Sequence, residues 1–174
     1  MKPFAAVCTV MTLAATAPAP LDAQSRALSL GSASPTWVGH GSFSGFVVRG
    51  DLAWRDPSRF LNWRASGSFT RLGGRLPPAQ IYGVSASATL SAPGSFVRAP
   101  KLARVPYLAA GPGLYGYRSY TEYRLGWHLA AGIQTTVGQW VLFGEAMRTS
   151  LGTSESSTGL PGGHIRSLSI GIRR

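Results

Sequence analysis

One cysteine occurs in the chain, Cys8, and it lies inside a leading apolar run. With that run set aside the chain has no thiol, which excludes disulfide staples and metal-thiolate sites. Charge is scarce too: 13% of residues are charged, against about 25% in an ordinary soluble domain. Acidic side chains are the scarcest, 6 against 17 basic. After Ala23 no apolar run approaches the ~20 residues that a membrane-spanning helix needs. Helical periodicity is missing as well, and Gly111-Pro112-Gly113 would break any helix placed across it. What remains is 174 residues, enough for one domain, with 44% hydrophobic residues and 22 glycines. Apolar surface is therefore spread thinly over many short elements.

The first residues have the grammar of an export signal. Lys2 precedes an apolar stretch from Phe4 to Ala17, followed by Pro18, Pro20 and the junction Leu21-Asp22-Ala23-Gln24. A charged start, an apolar core of about 7–15 residues and a small residue at the cut define a secretory signal peptide. Cleavage is expected after Ala23, leaving a domain over residues 24–174.

From there the chain alternates. Eight strand-like segments can be read: Arg26 to Ser34, Ser42 to Arg55, Phe60 to Leu72, Gln80 to Ser91, two within Val105 to Val137, Gln139 to Ser150, and His164 to Arg173. Each keeps a period of two. In the third, Leu61, Trp63, Ala65, Gly67 and Phe69 oppose Asn62, Arg64, Ser66, Ser68 and Thr70. In the sixth, Trp127, Leu129, Ala131 and Ile133 oppose His128, Ala130, Gly132 and Gln134. Asp56-Pro57-Ser58-Arg59 reads as a tight turn, Ala92 to Arg104 as a longer connection, and Leu151 to Gly163 as a loop.

The non-aliphatic face decides which solvent each side meets. It carries mostly Ser, Thr, Gly, Asn and Gln, with little of the Lys and Glu that a water-facing surface needs. Such a face suits a filled polar interior, which leaves the aliphatic face for lipid. Segments of about ten residues match the ~9–11 that cross a bilayer at a steep tilt. Trp54, Trp63, Tyr82, Tyr107, Tyr117, Tyr123, Trp127 and Trp140 lie toward strand ends, where an aromatic girdle belongs. The fold expected is all-β: an eight-stranded antiparallel up-and-down transmembrane barrel.

Val105 to Tyr115 (VPYLAAGPGLY), Gly126 to Gly132 (GWHLAAG), Phe143-Gly144-Glu145-Ala146 and the closing Ser169-Ile170-Gly171-Ile172 resemble the small outer-membrane β-barrels. That group includes OmpA-like transmembrane domains and OmpX-like and OmpW-like proteins. The resemblance implies both termini in the periplasm, tight turns on that side and longer loops outside. It implies no single activity, since the fold hosts many. One departure is visible: such chains usually end on an aromatic residue, whereas this one ends Ile172-Arg173-Arg174.

Without Lys2 and Asp22, 16 basic and 5 acidic residues stay and the excess is still +11. The arginines are dispersed, with no run of three basic residues, so nucleic acid is not the expected partner. Their places at strand ends and loops suit anionic headgroups, lipopolysaccharide phosphates among them. The partners expected are outer-membrane lipids and, as for other such barrels, the barrel-assembly machinery. No cofactor or metal is expected.

Three histidines invite a catalytic reading. If the chain turns at Gly138, His128 falls opposite Met147 and Glu145 becomes its diagonal neighbour, yet no serine is placed beside them as a nucleophile. His40-Gly41-Ser42 lies in a loop, and His164 borders one. Glu145 has the better structural role, since a carboxylate on a lumen face requires a cation. Arg64 and Arg49 sit mid-strand on polar faces and are the expected partners. The function expected is a structural or surface-interaction role without enzymatic activity, the lumen plugged by side chains. Beside it stand a narrow, porin-like passive channel, a lipid A-modifying barrel enzyme and a soluble lipocalin-like binder.

Overall fold

The computed structural model describes residues 24–36, 44–54, 60–73, 79–91, 104–118, 123–152 and 163–174. The expected signal peptide over residues 1–23, the Asp56–Arg59 turn, the His40–Ser42 loop and most of the two long connections lie outside these residues. Eight strands follow one another: β1 (Gln24–Thr36), β2 (Gly45–Trp54), β3 (Leu61–Leu72), β4 (Ala79–Ser91), β5 (Val105–Tyr117), β6 (Tyr123–Val137), β7 (Trp140–Ser150) and β8 (His164–Arg173). Each pairs antiparallel with the next, and β8 pairs with β1 to close the barrel. Closure removes the exposed edges that an open sheet would present.

The register fixes the geometry. From Gln134 on β6 the row runs through Phe143, Gly171, Ser29, Arg49, Ser68, Gly83 and Tyr115, and returns to β6 at Arg124, ten residues from its start. With standard strand rise and spacing, that stagger over eight strands tilts them about 40° from the barrel axis. Each residue then climbs about 2.5 Å along the axis and each step to the next strand about 3 Å.

Faces follow the alternation. Leu125, Leu168 and Ile170 point outward with 67%, 64% and 75% of their surface exposed, and Leu28, Leu30, Leu108, Leu129 and Ile133 are also exposed. Inward positions bury Ser29, Arg49, Asp51, Asn62, Arg64, Ser87, Thr89, His128, Gln134 and Glu145. An apolar belt open to the surroundings around a charged interior is the inverse of a water-soluble barrel, and it is stable against hydrocarbon. Gln134 is buried in the lumen, whereas Thr136, on the same side of the strand, is exposed near its end.

The aromatic residues divide between belt and lumen. Trp54 and Trp63 are cross-strand partners on the outer face, near the end that holds both termini, and Trp140 is there too, with the Arg174 guanidinium 5.5 Å over its ring. Trp127 and Tyr123 are exposed toward the other end. Tyr82 lies on the outer side of β4 but is only 4% exposed, covered by Phe69 with ring centroids 5.2 Å apart, and Phe69 continues to Phe46. Tyr107 and Tyr117 do not belong to the girdle. They are only 2% and 3% exposed and share the inward side of β5 with Tyr115. Position near a strand end suggested the girdle, but the two-residue alternation of β5 turns both into the barrel.

A second correction concerns the β6–β7 hairpin. Gly138 takes a left-handed φ of 62°, so Gly138-Gln139 forms a two-residue turn and Val137 pairs with Trp140. His128 therefore faces Thr149 rather than Met147, and Glu145 faces Gly132. The shift is two residues, so every side chain keeps its face while His128 and Glu145 move apart.

On the axial scale Leu30, Leu129 and Leu168 fall near the middle of the belt, while Ile133 lies low, level with Trp63. Leu129→Arg should therefore destabilise the folded barrel by about 2–4 kcal/mol, and Ile133→Arg by roughly 0–1 kcal/mol. Unfolding titrations in lipid vesicles measure both, and equal costs would contradict this depth assignment.

Candidate functional site: a charged plug in the lumen

Glu145 is fully buried, with 0% exposure, and both its oxygens are engaged. Arg49 donates through Nη1 to Oε1. Arg64 donates through Nη1 to Oε2 at 2.7 Å, and the Tyr107 hydroxyl donates to the same oxygen at 2.9 Å. Arg49 also reaches Asp51, its Nε lying 3.0 Å from a carboxylate oxygen. Arg64 Nε donates to Ser87 Oγ at 3.4 Å. Two guanidiniums thus meet two carboxylates, so this part of the lumen is neutral. Its members come from β2, β3, β4, β5 and β7, which ties distant walls together across the interior.

The local sequence makes room for this network. Tyr107, Gly132 and Glu145 occupy one row over β5, β6 and β7. A Cβ on Gly132 would lie 2.4 Å from the Tyr107 ring, so glycine lets the ring cross β6 to the carboxylate. Phe143 covers Gly171 on β8 in the same manner. Nearer the terminus end Arg173 closes the interior, with its guanidinium 5.1 Å over the Phe143 ring and Nη1 donating to Gln134 Oε1 at 3.0 Å. The closing arginines therefore divide: Arg173 fills the lumen and Arg174 packs on the outer Trp140.

At the other end, a buried cluster of Ala33, Val47, Leu72, Ile81, Tyr115, Tyr117, Leu151 and Ile165 caps the polar layer. Between cluster and ion pairs lies a cavity of about 20 Å³, bordered by Arg49, Arg64, Ser66, His128 and Thr149. That is room for about one water molecule.

Glu145, Arg49 and Arg64, singled out from the sequence, are thus brought together. Tyr107 and Asp51 were not read as members. Asp51 was visible as an inward acid two residues from Arg49, and Tyr107 as a tyrosine on the small face of β5. His128 lies on the same inner wall as Glu145, but the register separates them by four residues along neighbouring strands.

The chain is similar in fold to small outer-membrane β-barrels. It superposes on the crystal structure of Neisserial surface protein A, NspA, with a TM-score of 0.69 and 16% identity, covering 86% of this chain and 95% of that one. The outer membrane enzyme PagL aligns with a TM-score of 0.51 and 15% identity, covering 86% and 97%. The N-terminal β-barrel domain of Pseudomonas aeruginosa OprF aligns with a TM-score of 0.49 and 12% identity, over 87% and 97%. No protein-family model matches the chain, and no curated protein matches its sequence. At these identities the likeness is one of fold.

Glu145→Gln leaves two buried guanidiniums facing a neutral amide, at a cost of about 3–5 kcal/mol if both stay buried. Tyr107→Phe removes one hydrogen bond to a charged group and should cost about 1.5–3 kcal/mol. Thermal unfolding in detergent should rank the variants in that order below the parent, and a Glu145→Gln barrel as stable as the parent would refute the plug as a structural unit.

Proposed function

We propose that this chain is an outer-membrane barrel with a structural or surface-interaction role, its lumen closed by the Glu145 network. The observation that carries the reading is the inversion of faces: an exposed apolar belt outside, buried ion pairs inside. Residues 1–23 direct export and are removed, and the barrel-assembly machinery inserts the remainder. The arginines at the two rims meet anionic headgroups, lipopolysaccharide phosphates among them. No catalytic step is assigned to the lumen. Both oxygens of Glu145 already serve two arginines and a tyrosine, and His128 is held apart from that carboxylate.

A filled lumen supports a closed barrel over a channel, because eight strands enclose little more than their own inward side chains. Mature protein should partition with outer membranes and migrate on detergent gels with the heat-dependent shift of a folded barrel. In planar bilayers the parent should show no steady conductance and Glu145→Gln should show more. A large, stable conductance in the parent would replace the plug with a channel.

A further inference from the structure

Arg148 on β7 and Arg166 on β8 are direct partners in the antiparallel register, and both are exposed on the outer face. Like charges directly opposite each other destabilise a strand pair, so this placement calls for an anion between them. The outer face offers none among the described residues, whose acidic side chains, Asp51 and Glu145, are both buried in the lumen. The other exposed arginine pair near this end is arranged differently. Arg71 and Arg118 lie on either side of Gln80, and Arg118 Nη1 donates to Gln80 Oε1 at 2.9 Å.

The surroundings of Arg148 and Arg166 indicate what the anion is attached to. They lie two residues below the last rung of their hairpin, Ser150–His164. Leu129 borders Arg148 in the same row, and Leu168 follows Arg166 by two residues on β8, exposed at 64%. On the axial scale the pair lies near the height of Trp127, and among the described residues β7 and β8 carry no exposed apolar side chain above it. A ligand here has its charge between two guanidiniums and an apolar portion against leucines. Guanidinium forks match phosphate oxygens, and opposed Cβ atoms about 5 Å apart allow both forks to reach one phosphate.

We propose that Arg148 and Arg166 together bind the phosphate of an anionic lipid headgroup in the leaflet at the loop end of the barrel. The site rests on the membrane reading given above and adds to it a defined position and ligand. Two charges share one phosphate, so either arginine alone holds it poorly.

The test uses the folded chain in phosphatidylcholine vesicles with and without phosphatidylglycerol, with thermal unfolding followed by gel shift. Phosphatidylglycerol should raise the parent's melting temperature. Arg148→Gln, Arg166→Gln and the double variant should each lose most of that rise, with losses that do not add. Arg71→Gln, on the opposite wall, should keep it. In phosphatidylcholine alone, each single variant should be at least as stable as the parent, because the like-charge contact is relieved. Additive losses in proportion to charge removed, or an undiminished rise in the double variant, overturn the site. The same rise produced by inorganic phosphate in phosphatidylcholine vesicles overturns the lipid assignment. A parent that folds in both vesicles without preference overturns the site alone, whereas a parent that folds in neither overturns the membrane reading and the site with it.

Discussion

A carboxylate removed from water sets the terms for the inside of this barrel. Glu145 has no exposed surface, and an unpaired charge there would cost several kcal/mol. Its oxygens are met by Arg49, Arg64 and Tyr107, and Arg49 is met in turn by Asp51. Remove the carboxylate and Arg64 loses its ion pair while Arg49 keeps only the one to Asp51. The network also depends on closure, since Arg49 and Glu145 are 96 residues apart in sequence. The interior can pair its charges only when the strands are in register around the whole ring.

Register explains how much of this was legible. Alternation of two survives any even slip, so the outward leucines and the inward Arg49, Arg64 and Glu145 could be assigned from the strands alone. Glu145 was conspicuous as an acid on a face of small residues, and a lumen acid demands a cation. Partner choice along a strand does not survive a slip. The left-handed Gly138 and its two-residue turn move His128 from Met147 to Thr149, and distance from the carboxylate follows from that turn. The sequence pattern contained the glycine, but the turn length depended on which residues closed the ladder.

The tyrosines show a different limit. Nearness to a strand end places a tyrosine at an interface only if its side of the strand faces outward. Tyr82 is on the outer side of β4, yet packing on Phe69 leaves it only 4% exposed, whereas Tyr107 and Tyr117 are on the inner side of β5. Glycine opposite an inward ring was the missing signal. Gly132 yields space to Tyr107, Gly171 to Phe143, and Gly83 to Tyr115, whose ring carbons would lie 2.7 Å from an added Cβ. The high glycine content is thus partly a volume constraint: a narrow lumen accepts large rings where the opposing residue has no side chain.

The same accounting locates the basic excess. Of the described acids, Asp51 and Glu145 are spent on Arg49 and Arg64 inside. Arg173 is held by Gln134 and the Phe143 ring. Arg71, Arg118, Arg148, Arg166 and Arg174 are exposed, toward the two ends of the belt. A net charge of +11 distributed in this way is not a basic stripe of the kind that tracks a nucleic-acid backbone. It divides around two rims, where guanidiniums can meet phosphate without crossing hydrocarbon. Paired charges inside and positive charge at the rims are two consequences of one requirement: a charged group on a membrane-spanning wall needs a buried counter-ion, as Arg49 and Arg64 have, polar and aromatic cover, as Gln134 and Phe143 give Arg173, or access to a headgroup.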